Sequence, residues 1–419
     1  MDATAEFNLQ ADTQGDEADS QTLGIWNGET FVFTQSSTSP AWWDTAKLLW
    51  KYGMSPIRTN NLMKSTVGKF LKLYEAPFFP FRSLSARAVE LDLVGTTGVT
   101  GAQLLEQNKI YAPFTRDIIQ ASTRVNYGQN LGRIHGLETM VCMAIEGAMQ
   151  VKGGNWQIFD RMLNASGATV LLDTAVRSLQ KDKGLYTLVS APVNGTIALS
   201  QQFDTVVVAA PFQFSGIKIA EGLVTKLPDE IPYVKLHVTL FASPLKLNGA
   251  HFNLKPKDVV PDTILTTLSP SEDWSSGKEI VGKSGFFSIS TLRRVLNPHT
   301  NSTEYVYKIF SPEPIEPSFL ASLFGIPRVS LPDNLDDLAG KPTENITWYY
   351  PKKFYSYPYE YPRVTFEEVE LARGLWYTSG IESFISTMET SALMGKNVAQ
   401  LILDDYLEVL GAEHVVAEL

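Results

Sequence analysis

Six polar residues cluster between positions 124 and 138, within sequence that is otherwise apolar and helical in pattern. They are Arg124, Asn126, Tyr127, Gln129, His135 and Glu138. Polar groups buried in such a segment need hydrogen-bonding or charged partners. Arg124 could clamp a carboxylate ligand in bidentate fashion, or form a structural ion pair with an acid. His135, with Glu138 nearby, could accept a proton, or it could satisfy a loop carbonyl.

A second candidate site lies near the carboxyl terminus, in residues 374–403. The order is a short apolar strand, a tight turn at Gly380 and a helix with small residues at Ser391, Gly395 and Ala399. A glycine turn before a helix amino terminus is a phosphate-binding geometry, because it offers close backbone approach and free N–H groups. The candidate contacts are Gly380, Ile381, Glu382, Thr387, Met388 and Glu389. The alternative is a plain strand-to-helix turn.

No segment carries the Gly-x-Gly-x-x-Gly fingerprint of a dinucleotide-binding βαβ unit. Gly95, Gly98 and Gly101 are spaced three apart, which does not match it. Thr100 and Gln103 instead predict a capping box that opens a helix at Gly101.

Composition narrows the class of protein. The chain has 419 residues, of which 44% are hydrophobic, so it can bury one large core or two ordinary ones. Its formal net charge of −10 argues against a nucleic-acid partner. The single cysteine, Cys142, excludes an internal disulfide, and five scattered histidines suggest no metal site. No run of eighteen apolar residues predicts a transmembrane segment.

The elements around these sites predict an α/β fold with interleaved parts. Residues 23–35 read as a hairpin with a two-residue turn at Asn27 and Gly28. Helical patterns follow at residues 41–53 and 58–74, and again at 100–108 and 115–125. The part of the first pattern at residues 41–47 lies outside the described structure.

The middle of the chain changes character. Gly153 and Gly154 precede a helix, and residues 168–203 alternate as strands of a small meander. Residues 203–212 predict a buried strand stopped by Pro211. Four further strands between Lys235 and Phe310 predict a second sheet, and the aromatic, proline-rich residues 348–362 predict an irregular covering segment.

Three long segments carry a family resemblance. They are "RVNYGQNLGRIHGLETMVCMAIEGAMQVKGGNWQIFDRMLNASGA" at 124–168, "YVYKIFSPEPI" at 305–315, and "LWYTSGIESFISTMETSALMGKNVAQ" at 375–400. In these segments the chain resembles the prenylcysteine oxidase (prenylcysteine lyase) family, of fungal type, from about Phe7 to Leu403. Family members begin with a secretory signal and a Gly-rich flavin-binding βαβ unit. This chain departs from that pattern, so we expect it to be amino-terminally truncated.

The resemblance implies an amine-oxidase-like fold and an FAD-dependent oxidase. Such enzymes cleave the thioether of farnesyl- or geranylgeranyl-cysteine to a prenyl aldehyde and free cysteine, and molecular oxygen becomes hydrogen peroxide. The flavin performs the redox step, so the protein needs mainly an apolar channel and correct orientation. The alternative is a flavin-free paralogue that binds or converts a terpenoid without redox chemistry.

The resemblance also suggests roles for residues. The segment from Gly380 to Glu389 is similar to the family's second flavin contact. Gly153 and Gly154 then belong either to a flavin-side loop or to a helix entry. Ala209, Ala210 and Pro211 either lie near the adenosine half of FAD or simply end a strand. Arg124, Asn126, Tyr127 and Gln129 are the substrate-binding candidates, and His135 and Glu138 the catalytic ones.

We expect the incomplete FAD-binding domain to be interleaved with a substrate domain of mixed sheet and helices. The predicted parts are an acidic frayed start (1–22), helices and hairpin of the substrate domain (23–140), a remnant of the FAD-binding domain with the meander (141–215), the substrate-domain sheet and covering segment (216–365), the carboxy-terminal part of the FAD-binding domain (366–410) and a tail (411–419).

The predicted location is vacuolar, lysosomal or secretory. The family resemblance implies this location, and four Asn-x-Ser/Thr acceptors, at Asn164, Asn194, Asn301 and Asn345, add a hint of secretory origin. The residues after Met1 have neither the basic start nor the apolar stretch of a signal peptide.

Overall fold

The computed structural model describes residues 3–12, 22–35, 48–144, 150–195, 198–272 and 281–417. They form a mixed α/β fold, as the sequence predicts. The strands are β1 (Ala11–Asp12), β2 (Leu23–Trp26), β3 (Phe31–Gln35), β4 (Gln150–Val151), β5 (Thr174–Asp182), β6 (Leu185–Pro192), β7 (Leu199–Phe203), β8 (Val206–Val208), β9 (Lys218–Ile219), β10 (Tyr233–Ser243), β11 (Thr263–Thr266), β12 (Ser288–Leu296), β13 (Thr303–Ser311), β14 (Trp348–Pro358), β15 (Glu370–Ala372) and β16 (Leu375–Tyr377).

Helices and loops alternate with these strands. The helices are α1 (Ala3–Glu6), α2 (Ser55–Leu71), α3 (Leu84–Glu90), α4 (Val94–Thr97), α5 (Gly101–Gln107), α6 (Gln120–Tyr127), α7 (Gly136–Cys142), α8 (Trp156–Ser166), α9 (Phe212–Ser215), α10 (Pro317–Phe324) and α11 (Met388–Ala417). Residues 48–52 are also helical, and a π-helical turn at Thr115–Ile119 leads into α6. The capping box predicted at Thr100 and Gln103 is confirmed at the start of α5.

The largest sheet has seven strands in the order β14-β10-β13-β12-β11-β2-β3. It contains the four strands predicted between residues 235 and 310. Its core side packs against α10, through Leu320, Leu323 and Phe324 among others. Alternate residues of β10 and β13 point into this core, which is why both segments read as strands with a period of two.

The prediction of an irregular covering segment at 348–362 is wrong, because most of these residues form the strand β14. It pairs antiparallel with β10 over nearly its whole length, with Thr239 opposite Pro351. β14 is an edge strand in this sheet, and an edge tolerates a proline because half of its N–H groups have no strand to bond. The prolines that suggested irregular chain therefore mark an edge instead.

The β2–β3 hairpin is confirmed, but its turn differs from the prediction. Trp26 pairs with Phe31, so four residues form the loop. The Asn27 side chain accepts the backbone N–H groups of Glu29 and Thr30 at 2.9 and 2.8 Å. Gly28 has a positive φ of 88°, but Asn27 is not among the positive-φ residues. A side-chain cap thus replaces the expected two-residue turn.

Two short parallel strands, β8 and β16, form part of a three-stranded sheet in the order β15-β16-β8. β16 is buried and has a neighbour on each side. The buried strand expected at 203–212 is present only as β8, which spans three residues and lies at the edge of its sheet. Its middle residue, Val207, is 42% exposed. An apolar run in the sequence does not show whether a strand has one neighbouring strand or two.

A helical core joins the front of the chain to its carboxyl end. Phe70 of α2, Leu84 of α3 and Leu137 of α7 pack with Trp376 and with Leu393 of α11. The four-stranded meander, β7-β6-β5-β9, packs separately against β8 and β16.

Several elements extend across the predicted domain limits. α7 runs across the limit at 140 and α11 across that at 410. Within the start expected to fray, β1 pairs with β4. In the described part of the chain, no helix combines the length and the apolar character needed to cross a membrane.

Candidate active site

A groove of about 360 Å³ lies at the carboxyl ends of the parallel strands β8 and β16. In open α/β sheets this is where ligands bind, because the strand ends and the following loops leave a crevice. The groove is lined by Val207, Ala209, Thr378, Ser379, Glu382, Ser391, Gly395, Val398, Ala399 and Ile402.

The wall formed by α11 is built from small residues. Ser391, Gly395 and Ala399 are four positions apart, so they form one face of the helix. A Cβ atom added at Gly395 would meet no atom within 4 Å outside its own helix backbone. The protein's own packing therefore does not fill this face, and a ligand can approach the helix backbone closely.

The structure brings two of the predicted cofactor residues, Ala209 and Glu382, into this groove. Gly380 and Pro211 line a smaller neighbouring cavity, which Glu382 also lines. Glu382 thus lies between the two. Its carboxylate accepts the hydroxyl of Tyr233 at 3.0 Å, and burial raises the pKa of Glu382.

Other predicted cofactor residues lie elsewhere. Ile381 is fully buried in the helical core, and Ala210 is exposed. A 3₁₀ turn, not a tight glycine turn, follows β16, so Gly380 does not lie directly at the helix start. Gly153 and Gly154, with φ of 87° and 116°, form the turn before α8 and are not among the groove residues.

The start of α11 is capped by its own side chains. The Thr387 hydroxyl accepts the N–H of Thr390, and the Thr390 hydroxyl accepts the N–H of Thr387, both at 3.1 Å. Met388 is exposed, and burial, followed by the nearby charge of Glu389, raises the pKa of Tyr74. These residues fix the beginning of the helix that carries the groove wall.

The predicted catalytic residues, His135 and Glu138, lie together in a second, buried cluster. Glu360 joins them, and one side-chain ligand atom from each residue lies within 4.8 Å of the other two. All three residues are fully buried. Among the described residues, neither carboxylate has a hydrogen-bond partner. Burial raises the pKa of both carboxyl groups, and each negative charge would further disfavour the other.

Three contacts bring Glu360 into this cluster. The Gln129 side chain donates to the Pro358 carbonyl at 3.0 Å and accepts the N–H of Glu360 at 2.9 Å. The Glu360 carbonyl accepts the N–H of His135 at 2.6 Å. The predicted substrate residue Gln129 therefore holds the segment that positions an acid.

His135 faces this acid with a ring nitrogen that carries a proton. Its Nδ1 accepts the N–H of Glu138 at 3.1 Å and so caps α7. Burial, followed by the charge of Arg363, lowers the pKa of His135 to about 3, so the ring is neutral. The proton of a neutral ring must then be on Nε2, which lies 3.5 Å from Glu360. The Nε2 atom of His135 is therefore a hydrogen-bond donor in this cluster. A metal ion would instead need a lone pair on that atom.

The other predicted substrate residues lie on α6, and of these Tyr127 is close enough for the charges of Glu138 and Glu360 to act on it. Tyr127 donates to the Ser386 carbonyl at 3.0 Å, which links α6 to the segment before α11. Asn126 donates to the Ser122 carbonyl within its own helix. Arg124 is buried, and one of its nitrogens donates to the Val281 carbonyl at 2.9 Å. Its Nε and other terminal nitrogen have no partner among the described residues.

Sequence reasoning did not identify Glu360, Tyr233 or Arg363. Glu360 stands between tyrosines and prolines, a context that suggests a solvated loop. The small residues at Ser391, Gly395 and Ala399 did give a usable signal, since they mark the groove wall.

The comparisons with known proteins agree over nearly the whole chain. The family described as "Prenylcysteine lyase" matches residues 35–412. The chain belongs to the prenylcysteine lyase family. A farnesylcysteine lyase of Arabidopsis thaliana is 28% identical over 97% of this chain and 75% of its own length. Prenylcysteine oxidase 1 of Homo sapiens is 26% identical over 90% of this chain and 72% of its own.

Solved structures support the fold of this prenylcysteine lyase family member. A putrescine oxidase bound to putrescine matches with a TM-score of 0.52 and 13% identity, over 96% of this chain and 84% of that one. At this identity the likeness concerns the fold alone. It confirms the amine-oxidase-like architecture.

Proposed function

We propose that the protein uses FAD to cleave the thioether bond of farnesyl- or geranylgeranyl-cysteine. The products are a prenyl aldehyde, free cysteine and hydrogen peroxide, and the co-substrates are water and molecular oxygen. The observation that carries the proposal is the family match over residues 35–412, whose relatives are named farnesylcysteine lyase and prenylcysteine oxidase. The amine-oxidase-like fold is compatible with this chemistry.

The groove fits an uncharged part of a flavin. It lies at the ends of parallel strands, and its α11 wall has the open face at Gly395. Glu382 is the single charged residue among those that line it, so this groove offers no cation for the phosphates of FAD. The bound flavin would supply two-electron oxidation of the carbon next to sulfur.

The chain's own residues would exclude water and orient the substrate. Val207, Val398 and Ile402 give the groove apolar walls. Removing an isoprenoid chain from water contributes roughly 0.8 kcal/mol per CH₂, so apolar contacts suffice for affinity. Glu382 is placed to hold or pass a proton at the groove, because its carboxylate also contacts Tyr233.

Turnover of farnesylcysteine tests the proposal directly. The purified protein is supplied with FAD and oxygen, and farnesal, free thiol and hydrogen peroxide are measured. We expect the three products in equal amounts. S-dodecylcysteine is the matched control substrate, since its carbon next to sulfur is not allylic and hydride loss would lack the alkene's stabilisation.

Two results would contradict the proposal. One is tight binding of farnesylcysteine by a protein that never takes up FAD, which would favour a terpenoid-binding role. The other is equal turnover of the saturated control.

We also propose a secretory or vacuolar location. Asn164, Asn194 and Asn301 are exposed and Asn345 is half-buried, so glycosylation enzymes could reach them. Protein purified from its natural source should lose mass on treatment with an N-glycosidase. Unchanged mass and a cytosolic fraction would count against this location.

A further inference from the structure

The buried acids Glu138 and Glu360 form a pair with no counter-ion in direct contact. Both carboxyl groups are fully buried, and their oxygens have no hydrogen-bond partner among the described residues. Two carboxylates so close together cannot both be ionised in a low-dielectric interior. The pair must therefore hold at least one proton.

The charges around the pair favour a single shared proton. Arg363 carries a fixed positive charge and influences both His135 and Glu360. His135 is neutral and directs Nε2–H toward Glu360. One carboxylate then offsets Arg363, and the second carboxyl keeps its proton. The other titratable groups facing the pair are Tyr127, Cys142, Tyr233 and Glu382.

The pair is connected to the groove. Glu382 lines the groove and is close enough for its charge to act on Glu360. The Tyr233 hydroxyl donates to Glu382 at 3.0 Å and also senses the charge of Glu360. Glu382 therefore belongs to the groove by contact, bonds Tyr233 directly, and acts on the buried acids through its charge.

The substrate-oxidation half of the proposed reaction releases one proton near this groove, and the later formation of hydrogen peroxide takes one up. With FAD bound as the oxidant, C1 of the prenyl group would lose a hydride, water oxygen would bond to C1, and the C1–S bond would break. One proton of that water ends on the cysteine sulfur. The other must leave, because the aldehyde keeps only the oxygen.

We propose that Glu138 and Glu360 share one proton and, as a singly charged pair, accept the proton released by thioether oxidation through Glu382. This inference rests on the proposed function. It names the final acceptor for a proton that first reaches Glu382, the one charged residue lining the groove. Glu138 and Glu360 act at a distance from the substrate, through Glu382.

Infrared spectroscopy of the FAD-loaded protein at pH 7 tests the shared proton without any turnover. We expect one buried carboxylic-acid C=O band that shifts in D₂O. Glu138→Gln and Glu360→Gln should each abolish it, because the remaining acid becomes the single ionised partner of Arg363. Glu304→Gln is the matched control, a buried acid already bonded by Asn297 and Thr347, and should leave the band intact.

Turnover then tests the acceptor role. We expect Glu138→Gln to lower kcat about tenfold with little change in KM and to alter the pH–rate profile, and Glu138→Asp to recover part of the rate. Two bands or none in the wild type, or a band that survives either single substitution, would overturn the shared proton. Wild-type kcat and pH profile in both Gln variants would overturn the acceptor role. A normal band without any turnover would overturn the proposed function and the acceptor role with it.

Discussion

His135 Nδ1 accepts the backbone N–H of Glu138 at 3.1 Å, and this one bond fixes both a helix end and a tautomer. It satisfies an otherwise free donor in the first turn of α7. It also leaves the ring proton on Nε2, which faces Glu360. The His135 ring is thus neutral with its Nε2–H toward Glu360, and its role as a proton acceptor in the reaction stays a prediction.

Replacing His135 separates these two roles. We expect His135→Ala to lower the free energy of unfolding by at least about 1 kcal/mol, because the cap is lost and a cavity opens. His135→Asn should cost less, since asparagine is a good helix cap. Urea unfolding followed by circular dichroism measures both. Equal losses in the two variants would show that the cap contributes little.

Much of the fold follows from local pattern. The period of two in β10 and β13 and the capping box at Thr100 are short-range signals, and the structure agrees with each. The position of a strand within its sheet, at the edge or in the centre, does not follow from local pattern. β8 and β14 were misjudged because an apolar run or a proline does not reveal how many strands lie beside it.

The candidate site shows the same limit. The face of Ser391, Gly395 and Ala399 is visible in sequence because helix geometry relates residues four apart. The pairing of Glu138 with Glu360 is not, since 222 positions separate them and tertiary packing alone brings them together. Long-range contacts between buried polar groups leave no local trace in sequence.

The buried acids predict how stability depends on pH. The ordinary pKa of glutamate, 4.5, applies to the unfolded chain, whereas burial raises the pKa of Glu138 and Glu360 in the folded state. Above about pH 4.5 the folded state therefore binds more protons than the unfolded state. Stability from this source is complete below pH 4.5 and is lost as pH rises, by up to about 1.4 kcal/mol per unit for each extra proton.

Urea midpoints between pH 5 and pH 8 measure this effect. The double variant E138Q/E360Q should lose less stability over that range than the wild type, because its amides do not titrate. Glu304→Gln controls for the loss of a buried acid elsewhere. A wild type and a double variant with parallel pH curves would refute the assignment of raised pKa values.

The open face at Gly395 predicts a variant that folds but does not bind flavin. A leucine there should project into the groove, because no protein atom outside its own helix backbone lies within 4 Å of an added Cβ. We expect FAD binding to weaken tenfold or more, in line with the 1–3 kcal/mol that overpacking costs. Helix stability should rise slightly, since glycine is a poor helix former. Flavin fluorescence titration and visible absorbance measure the binding.

Gly68→Leu is the matched control for this substitution. Gly68 lies within α2 and also has no atom outside its own helix backbone within 4 Å of an added Cβ, but it is not among the groove residues. Its variant should bind FAD as the wild type does. If both variants bind equally well, the groove is not a flavin contact.

Asn397 predicts the cost of detaching α11 from the helical core. Its fully buried side chain donates to the Phe81 carbonyl and accepts the Phe81 N–H, both at 2.7 Å. Asn397→Asp places an oxygen against that carbonyl and leaves two buried groups poorly paired. Each unsatisfied group costs about 1–3 kcal/mol, so we expect a loss of at least about 2 kcal/mol. Lys396→Ala, one position away and exposed, should stay within about 0.5 kcal/mol of the wild type.

Because α11 also forms the groove wall, Asn397→Asp should weaken FAD binding in parallel. Urea unfolding and flavin titration of the same preparations measure the two effects, and wild-type stability in Asn397→Asp would show that this bridge does not hold the helix in place.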